Sequence, residues 1–312
     1  MRIYFATDVH GSETCWRKFI NAAKFYEADV LILGGDMTGK AVVPIIADGK
    51  GGYRTYLQDQ RHDFDGDDEL ERYERLVRER GYYPVRMTED ELAGYREQPA
   101  TLEQLFHSSM IDTVQQWVAF ADERLAKEKI QCIVCPGNDD ELEIDEVLAD
   151  ASWVQVGEGQ VVALPDDFQL VSTGWSNRTP WDTHREEDEP ELRERIERAV
   201  AASTAPRERL VLSLHCPPYD TPLDVAPKIS ADLKVQGQEV AHVGSTAVRE
   251  VLESVQPVLS LHGHIHESRA ATRIGKTLAI NPGSSYEQGT LHGAVVDLNG
   301  KAKVKRYKLT TG

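Results

Sequence analysis

The chain has 312 residues, 52 of them Asp or Glu and 35 Lys or Arg, for a formal net charge of −17. With 40% hydrophobic and 28% charged residues, it can bury a sizeable core, which excludes wholesale disorder and collagen-like architecture. No apolar run approaches the roughly 20 residues that span a bilayer, and the acidic balance argues against a broad nucleic-acid-binding face, which needs clustered Lys and Arg.

The first apolar run, Ile3–Ala6, reaches Asp8 and His10 at once, which leaves no room for the apolar segment of a secretory leader. A cytoplasmic location without membrane attachment is therefore expected. Ser12 then caps a helix to about Tyr26, on which Trp16, Phe19, Ile20 and Ala23 recur at helical spacing. Val30–Leu33 is a second buried strand, so strand, helix and strand open a parallel α/β sheet. The alternation then stops. Val42–Ile46 and Tyr53–Leu57 predict two short strands, and the charged stretch from about Arg61 to Gln104 predicts solvated helices. A helix from about Thr101 to Lys129 follows. Residues 45–110 are thus expected to form a mainly helical insertion within one 312-residue domain.

The α/β pattern resumes with a strand at 130–135 and a helix from near Glu141. Cys132 and Cys135 sit in that strand on opposite faces, which favours buried thiols over a redox or zinc pair. Four cysteines are too few for a disulfide scaffold. Strands at 161–164 and 169–173 precede a helix opened by Pro190 and carrying Glu191–Arg195 and Glu194–Arg198 pairs. Strands at 209–214 and 258–261 are separated by a long loop and a helix near Ser245–Ser254. Short strands at 270–274, 277–281, 293–297 and 303–308 complete the chain.

The residues that end these strands carry the chemistry. Ala6-Thr7 leads to Asp8 and His10, Gly34-Gly35 to Asp36, and Pro136-Gly137 to Asn138, Asp139 and Asp140. Leu214 leads to His215, and His262-Gly263 to His264 and His266. In an open α/β sheet the carboxyl edge is where loops converge on a ligand. Oxygen and nitrogen donors without a thiolate suit Mn²⁺, Fe, Ni²⁺ or Zn²⁺ better than Ca²⁺.

The order Asp8-x-His10, Gly35-Asp36, Gly137-Asn138, His215, Gly263-His264-x-His266 resembles the calcineurin-like metallophosphoesterase superfamily, nearer its compact prokaryotic phosphoesterases than its Ser/Thr phosphatases. Asn281-Pro282-Gly283 occupies the place of a further loop near the site. The resemblance implies a four-layer α/β/β/α sandwich and a dinuclear-metal-dependent phosphoester hydrolase, in which a metal-bridging hydroxide attacks phosphorus. It places Asp8, His10 and His266 on one ion and Asn138, His215 and His264 on the other, with Asp36 bridging. Two divalent ions are implied, Mn²⁺ first, with Fe, Ni²⁺ or Zn²⁺ as alternatives.

The chain departs from the family where a His usually follows Gly-Asn: here Asp139 stands in that place. Either Asp139 takes part in catalysis with Asp36 and Asn138, or it is only a surface turn residue or a cap for the helix from Glu141 onward. The departure tilts the reading to phosphodiesters over monoesters. Substrate contacts are expected from Asn138, His215 and Arg178, the last on an aromatic loop, Trp175–Trp181, that otherwise only covers the sheet edge. Tyr219 is open to the same two readings. Gly34–Ala41 nearly matches a phosphate-binding loop, but Ala41 lacks the hydroxyl, Asp36 would face the phosphate and Pro44 breaks the required helix. A non-catalytic scaffold and a nuclease acting on DNA remain the alternatives from other classes. The expected partner is a small-molecule phosphoester, with neither membrane nor nucleic acid, and the insertion is either a lid over the site or a contact in a homo-oligomer.

Overall fold

The computed structural model describes residues 1–57, 60–229 and 235–312. Two six-stranded sheets form its centre. The first runs in the order Lys303–Thr311, His292–Asn299, Arg2–Ala6, Val30–Leu33, Gln131–Val134, Gln155–Val156. The second runs Ala270–Ile274, Thr277–Asn281, Leu259–Leu261, Leu210–Leu214, Phe168–Thr173, Val161–Leu164. Each has four adjacent parallel strands, with two antiparallel strands beside them on one side in the first sheet and one on each side in the second.

Period-two alternation assigns each strand face to a layer. Ile3, Phe5, Val30, Ile32 and Ile133 meet Leu170, Val211, Leu259, Leu278 and Ile280 between the two sheets. Their neighbours Tyr4, Ala6, Leu31, Leu33, Cys132 and Val134 pack instead on the helices Glu13–Phe25 and Pro99–Glu128. Leu210, Leu212 and Leu214 face the helices Glu189–Ala201 and Thr246–Val255. The result is helix, sheet, sheet, helix, with three apolar seams. Each aliphatic side chain in them contributes about 1.5–3 kcal/mol of burial. Trp16 stacks on Trp117 at 5.1 Å and donates its indole N–H to the Trp117 carbonyl, joining the two helices of the outer layer. All four cysteines are buried and unpaired. No helix is long and apolar enough to cross a membrane among the described residues.

The insertion holds more sheet than its charge pattern suggests. Val42–Ala47, Tyr53–Leu57, Gln60–Phe64 and Tyr83–Met87 form a four-stranded sheet, against which the helix Asp67–Glu79 packs. Val43, Ile45, Leu57, Phe64, Leu70, Tyr73 and Val77 give it a small core of its own. Gln60–Phe64 and Tyr83–Met87 fall where the charge pattern predicts helix. Strand pairing across the sheet, invisible to a local charge count, overrides that local preference. The long loop expected after His215 likewise contains a two-stranded ribbon, Val225–Ile229 with Val235–His242. Two smaller expectations also change. The helix near Glu141 begins at Ile144. Arg195 pairs with Glu187 rather than Glu191 and lies over the Trp175 ring at 4.0 Å, while Glu194–Arg198 forms.

Candidate metal centre

Every strand named for its polar end delivers that end to one edge of the sandwich. The loops after Arg2–Ala6 and Val30–Leu33 zip together through backbone bonds, Asp8 N–H to Gly35 O, His10 N–H to Asp36 O and Gly11 N–H to Met37 O, at 2.8–2.9 Å. This zipper holds Asp8, His10 and Asp36 at φ values of 53°, 38° and 50°, and His264 stands at 66°. A left-handed backbone at a non-glycine residue costs of order 1–3 kcal/mol and persists only where its surroundings impose it. Four such residues within one cluster are a mark of a site whose geometry outranks local comfort.

Two glycines are demanded by close approach. A Cβ at Gly137 would collide with the Asp36 carboxylate, and one at Gly263 with the Asp8 carboxylate and the Thr7 hydroxyl.

The donors fall into two adjoining groups, Asp8 with His10 and His266, and Asp36 with His215 and His264, overlapped by a third, His10 with Asp36 and Asp139, each offering atoms within 4.8 Å of one another. The two groups interlock. Asp8 Oδ1 lies 3.4 Å from His266 Nε2 and 3.9 Å from His215 Nε2, and Asp36 Oδ2 lies 3.5 Å from His10 Nε2 and 3.4 Å from His215 Nε2. Asn138 joins them by its neighbours: the next backbone N–H, that of Asp139, donates to Asp36 Oδ1 at 3.0 Å.

Several donor atoms have lone pairs that nothing among the described residues satisfies. His215 spends Nδ1 on the Gly34 carbonyl at 2.9 Å, leaving Nε2 buried without a partner. Asn138 donates Nδ2 to the Thr183 hydroxyl at 2.7 Å, leaving Oδ1 likewise buried and unpartnered. The ring nitrogens His10 Nε2 and His266 Nε2 face each other at 3.1 Å. Buried lone pairs pointed at carboxylates and at one another repel unless a proton or a metal cation lies between them. The residues fit divalent metal ions of the nitrogen- and oxygen-accepting kind.

Titration follows the same charges. Burial tends to raise the Asp8 carboxyl, but the hydrogen bond from His266 and the charges of His215 and His266 bring it down to about 2. Burial likewise opposes ionisation of Asp36, and His215 and His10 outweigh it, so Asp36 lies well below the usual carboxylate range. His215 is pushed up to about 10, burial lowering it and Asp36 raising it by more. Burial takes His10 down to about 3 and His264 to about 4, whereas the raised His215 and His266 hold protons that a bound cation would have to displace.

The surrounding residues hold the donors in place. Asp140 is fully buried and accepts from the N–H groups of Gly137, Met37 and Thr38 and from the Thr38 hydroxyl, fastening the Asn138 loop to the Asp36 loop. Arg185, also fully buried, bonds the carbonyls of Asp140 and Glu141 and both oxygens of Asp145. Asn281 donates to the carbonyls of Gly263 and Ile265, and Ser284 donates to the Asp8 carbonyl. His262, third member of the His-rich segment, faces away, binding Ser260 and the Leu214 and Cys216 carbonyls.

Three expectations change here. Asp139 is no helix cap: its side chain pairs with Lys40, and Asp140 makes the anchoring contacts. Arg178 is engaged by Asp188 at 2.9 Å and Asp182 at 3.7 Å, and among the described residues no hydrogen bond or ion pair joins it to the donor cluster. Trp175 is half-buried against the second helical layer, whereas Trp181 is exposed and Tyr219 lies near His242. Lys40, which the sequence offers only as part of a near-miss phosphate loop, stands at the centre's rim. That loop leads into the strand Val42–Ala47 instead of a helix, which removes the nucleotide triphosphatase reading.

The insertion is tied into this edge as well. Tyr83 accepts the Gly39 N–H on its hydroxyl at 2.7 Å, Lys40 N–H meets the Gly81 carbonyl, and Ser12 donates to the Glu79 carbonyl. Tyr83→Phe is expected to cost about 1–2 kcal/mol, because it strands the buried Gly39 N–H; urea unfolding measures it, and an unchanged midpoint would show that the bond contributes nothing.

No family model matches the chain. It is 29% identical over 164 residues, 51% of its length and 68% of the other's, to an uncharacterized protein, MJ1162, of Methanocaldococcus jannaschii. One solved crystal structure aligns over 99% of this chain and 98% of its own, at a TM-score of 0.54 and 16% identity. TT1561 of Thermus thermophilus aligns over 100% and 97% at 0.49 and 12%, and an archaeal phosphodiesterase over 100% of both chains at 0.42 and 12%. Such identities bear on the fold alone. Paired sheets between helical layers, with polar loops gathered at the carboxyl ends of the parallel strands, form the four-layer α/β/β/α sandwich that the resemblance to the calcineurin-like metallophosphoesterases implies.

Proposed function

We propose that the chain is a metal-dependent phosphoester hydrolase with a dinuclear centre, loaded first with Mn²⁺ and acting on small-molecule phosphodiesters in the cytoplasm. The observation that carries this reading is the pair of interlocked donor groups, with His215 Nε2 and Asn138 Oδ1 buried, bare and beside shared carboxylates. Asp8, His10 and His266 would hold one ion, Asn138, His215 and His264 the other, and Asp36 both. Two divalent cations there supply Lewis acidity to a phosphoryl oxygen and acidify the attacking water. The chain's own part is geometric and electrostatic. Asp8 and Asp36 bring the negative charge that offsets two dications, and neutral His10 and His264 donate without a proton to lose. Asp140, Arg185 and Asn281 fix the loops, so little reorganisation remains for the reaction.

The purified protein is expected to carry close to two Mn²⁺ per chain by elemental analysis after reconstitution. It should hydrolyse a bis-aryl phosphodiester, fall to background on chelation and recover on re-addition of Mn²⁺. Equal rates in metal-free protein would sink the mechanism, and no uptake after reconstitution would favour a non-catalytic scaffold. The charge of −17 disfavours a nuclease; tight DNA binding with a steep salt slope would reverse that.

A further inference from the structure

Lys40 and Asp139 form an ion pair at the rim of the centre, and the pair is built rather than incidental. Asp139 follows Asn138 directly, its N–H is bonded to Asp36, and its Oδ2 lies 3.8 Å from His10 Nδ1. Its side chain is 24% exposed, against 42% for Lys40, so the carboxylate is the inner partner and the ammonium the outer one. The backbone under Lys40 is fixed by the insertion, through Tyr83 on Gly39 and the Gly81 carbonyl on Lys40 itself.

Such a pair has a consequence for the charge of the substrate. Its net charge is zero, so the rim adds no attraction for an anion beyond what bound metals supply. Its inner face is negative. A phosphodiester carries one negative charge and turns an esterified, uncharged oxygen or its carbon substituent toward such a face without penalty. A phosphomonoester at neutral pH carries close to two and must bring a second anionic oxygen against the carboxylate.

We propose that the Asp139–Lys40 pair is a charge filter at the mouth of the centre, selecting monoanionic phosphodiesters over dianionic phosphomonoesters. This rests on the hydrolase reading above and gives its preference for phosphodiesters a physical cause in two named residues. Removing the carboxylate leaves Lys40 as a free cation and relieves the repulsion; removing the ammonium leaves the carboxylate bare.

The test uses Mn²⁺-loaded wild type, Asp139→Asn and Lys40→Met. Two ratios are measured: the kcat/KM of an aryl phosphodiester over that of the matching aryl monoester, and, by calorimetry, the affinity for dimethyl phosphate over that for inorganic phosphate. Asp139→Asn is expected to move both ratios toward the dianion by about tenfold, and Lys40→Met to move both the opposite way by a similar factor, as expected for one charge at a partly solvated rim. Ratios within about twofold of wild type in both variants, with metal content and diester hydrolysis persisting, would overturn the filter and leave the hydrolase reading standing. A wild type that takes up no metal and cleaves neither ester would overturn both.

Discussion

Asp36→Asn is expected to lower metal-dependent phosphodiester hydrolysis by a factor on the order of 10³, the scale at which loss of a single preorganised electrostatic group is felt in an active site. The substitution keeps the shape of the side chain, and Asp139 N–H can still find an oxygen at this position. It removes the negative charge that sits 3.5 Å from His10 Nε2 and 3.4 Å from His215 Nε2, and it can turn an amide N–H toward nitrogen donors that need a cation. Both donor groups lean on this one carboxylate, so metal content should fall together with kcat, whereas loss of a substrate contact alone would change KM and leave the metal in place. Kinetics with saturating Mn²⁺ and elemental analysis of the same preparation measure the two effects. Near-wild-type turnover with full metal occupancy would refute the assignment of Asp36 as the shared ligand.

The second large effect is on stability. Asp140→Ala is expected to destabilise the fold by about 3–5 kcal/mol, because it strands buried donors that have no other partner. The N–H groups of Gly137, Met37 and Thr38 and the Thr38 hydroxyl all converge on this fully buried carboxylate. These donors belong to the loops that carry Asn138 and Asp36, so a variant that still folds should also bind metal more weakly. Urea unfolding of the metal-free protein separates the two effects: a lowered midpoint without metal is the structural cost, and any further loss of Mn²⁺ affinity is the cost of misplaced ligands. Metal-free stability within about 0.5 kcal/mol of wild type, the range of an ordinary surface substitution, would show that water replaces the lost acceptor and that Asp140 is no clamp.

The two carboxylates also show what is legible in the chain and what is not. Asp36 can be found because it ends an apolar strand, as Asp8, His10, Asn138, His215, His264 and His266 do, and strand ends converge whatever the loop lengths between them. Asp140 lies two residues from Asn138 and has the same chemistry as Asp139, so nothing in the sequence says which of the two adjacent carboxylates turns inward to bind backbone and which turns to the rim. Lys40 is hidden for a related reason. Its partner is 99 residues away, and its local context imitates a phosphate loop. Arg178 is a further case: a cation on an aromatic loop reads as a substrate contact, and its pairing with two nearby carboxylates, Asp182 and Asp188, is visible only in the fold.

Local patterning is enough to dictate the alternation of apolar strands and amphipathic helices, because burial of one face at a two- or 3.6-residue period is a property of neighbouring residues, whereas the four layers follow from the family resemblance. It also gathers the polar residues that end those strands, because parallel strands must present their carboxyl ends on one edge, while their assignment as metal donors is what the family resemblance implies. The remainder comes from packing in three dimensions. The left-handed backbone at Asp8, His10, Asp36 and His264 is imposed by bonds between loops, and a strained conformation of this kind has no local preference to reveal it. Two strands of the insertion's sheet, Gln60–Phe64 and Tyr83–Met87, arise by pairing in segments whose charge pattern favours helix on its own. The Lys40–Asp139 pair exists because the insertion holds one partner and the loop after Gln131–Val134 the other. Long-range pairing is set by which surfaces meet, and a chain read residue by residue carries no record of that.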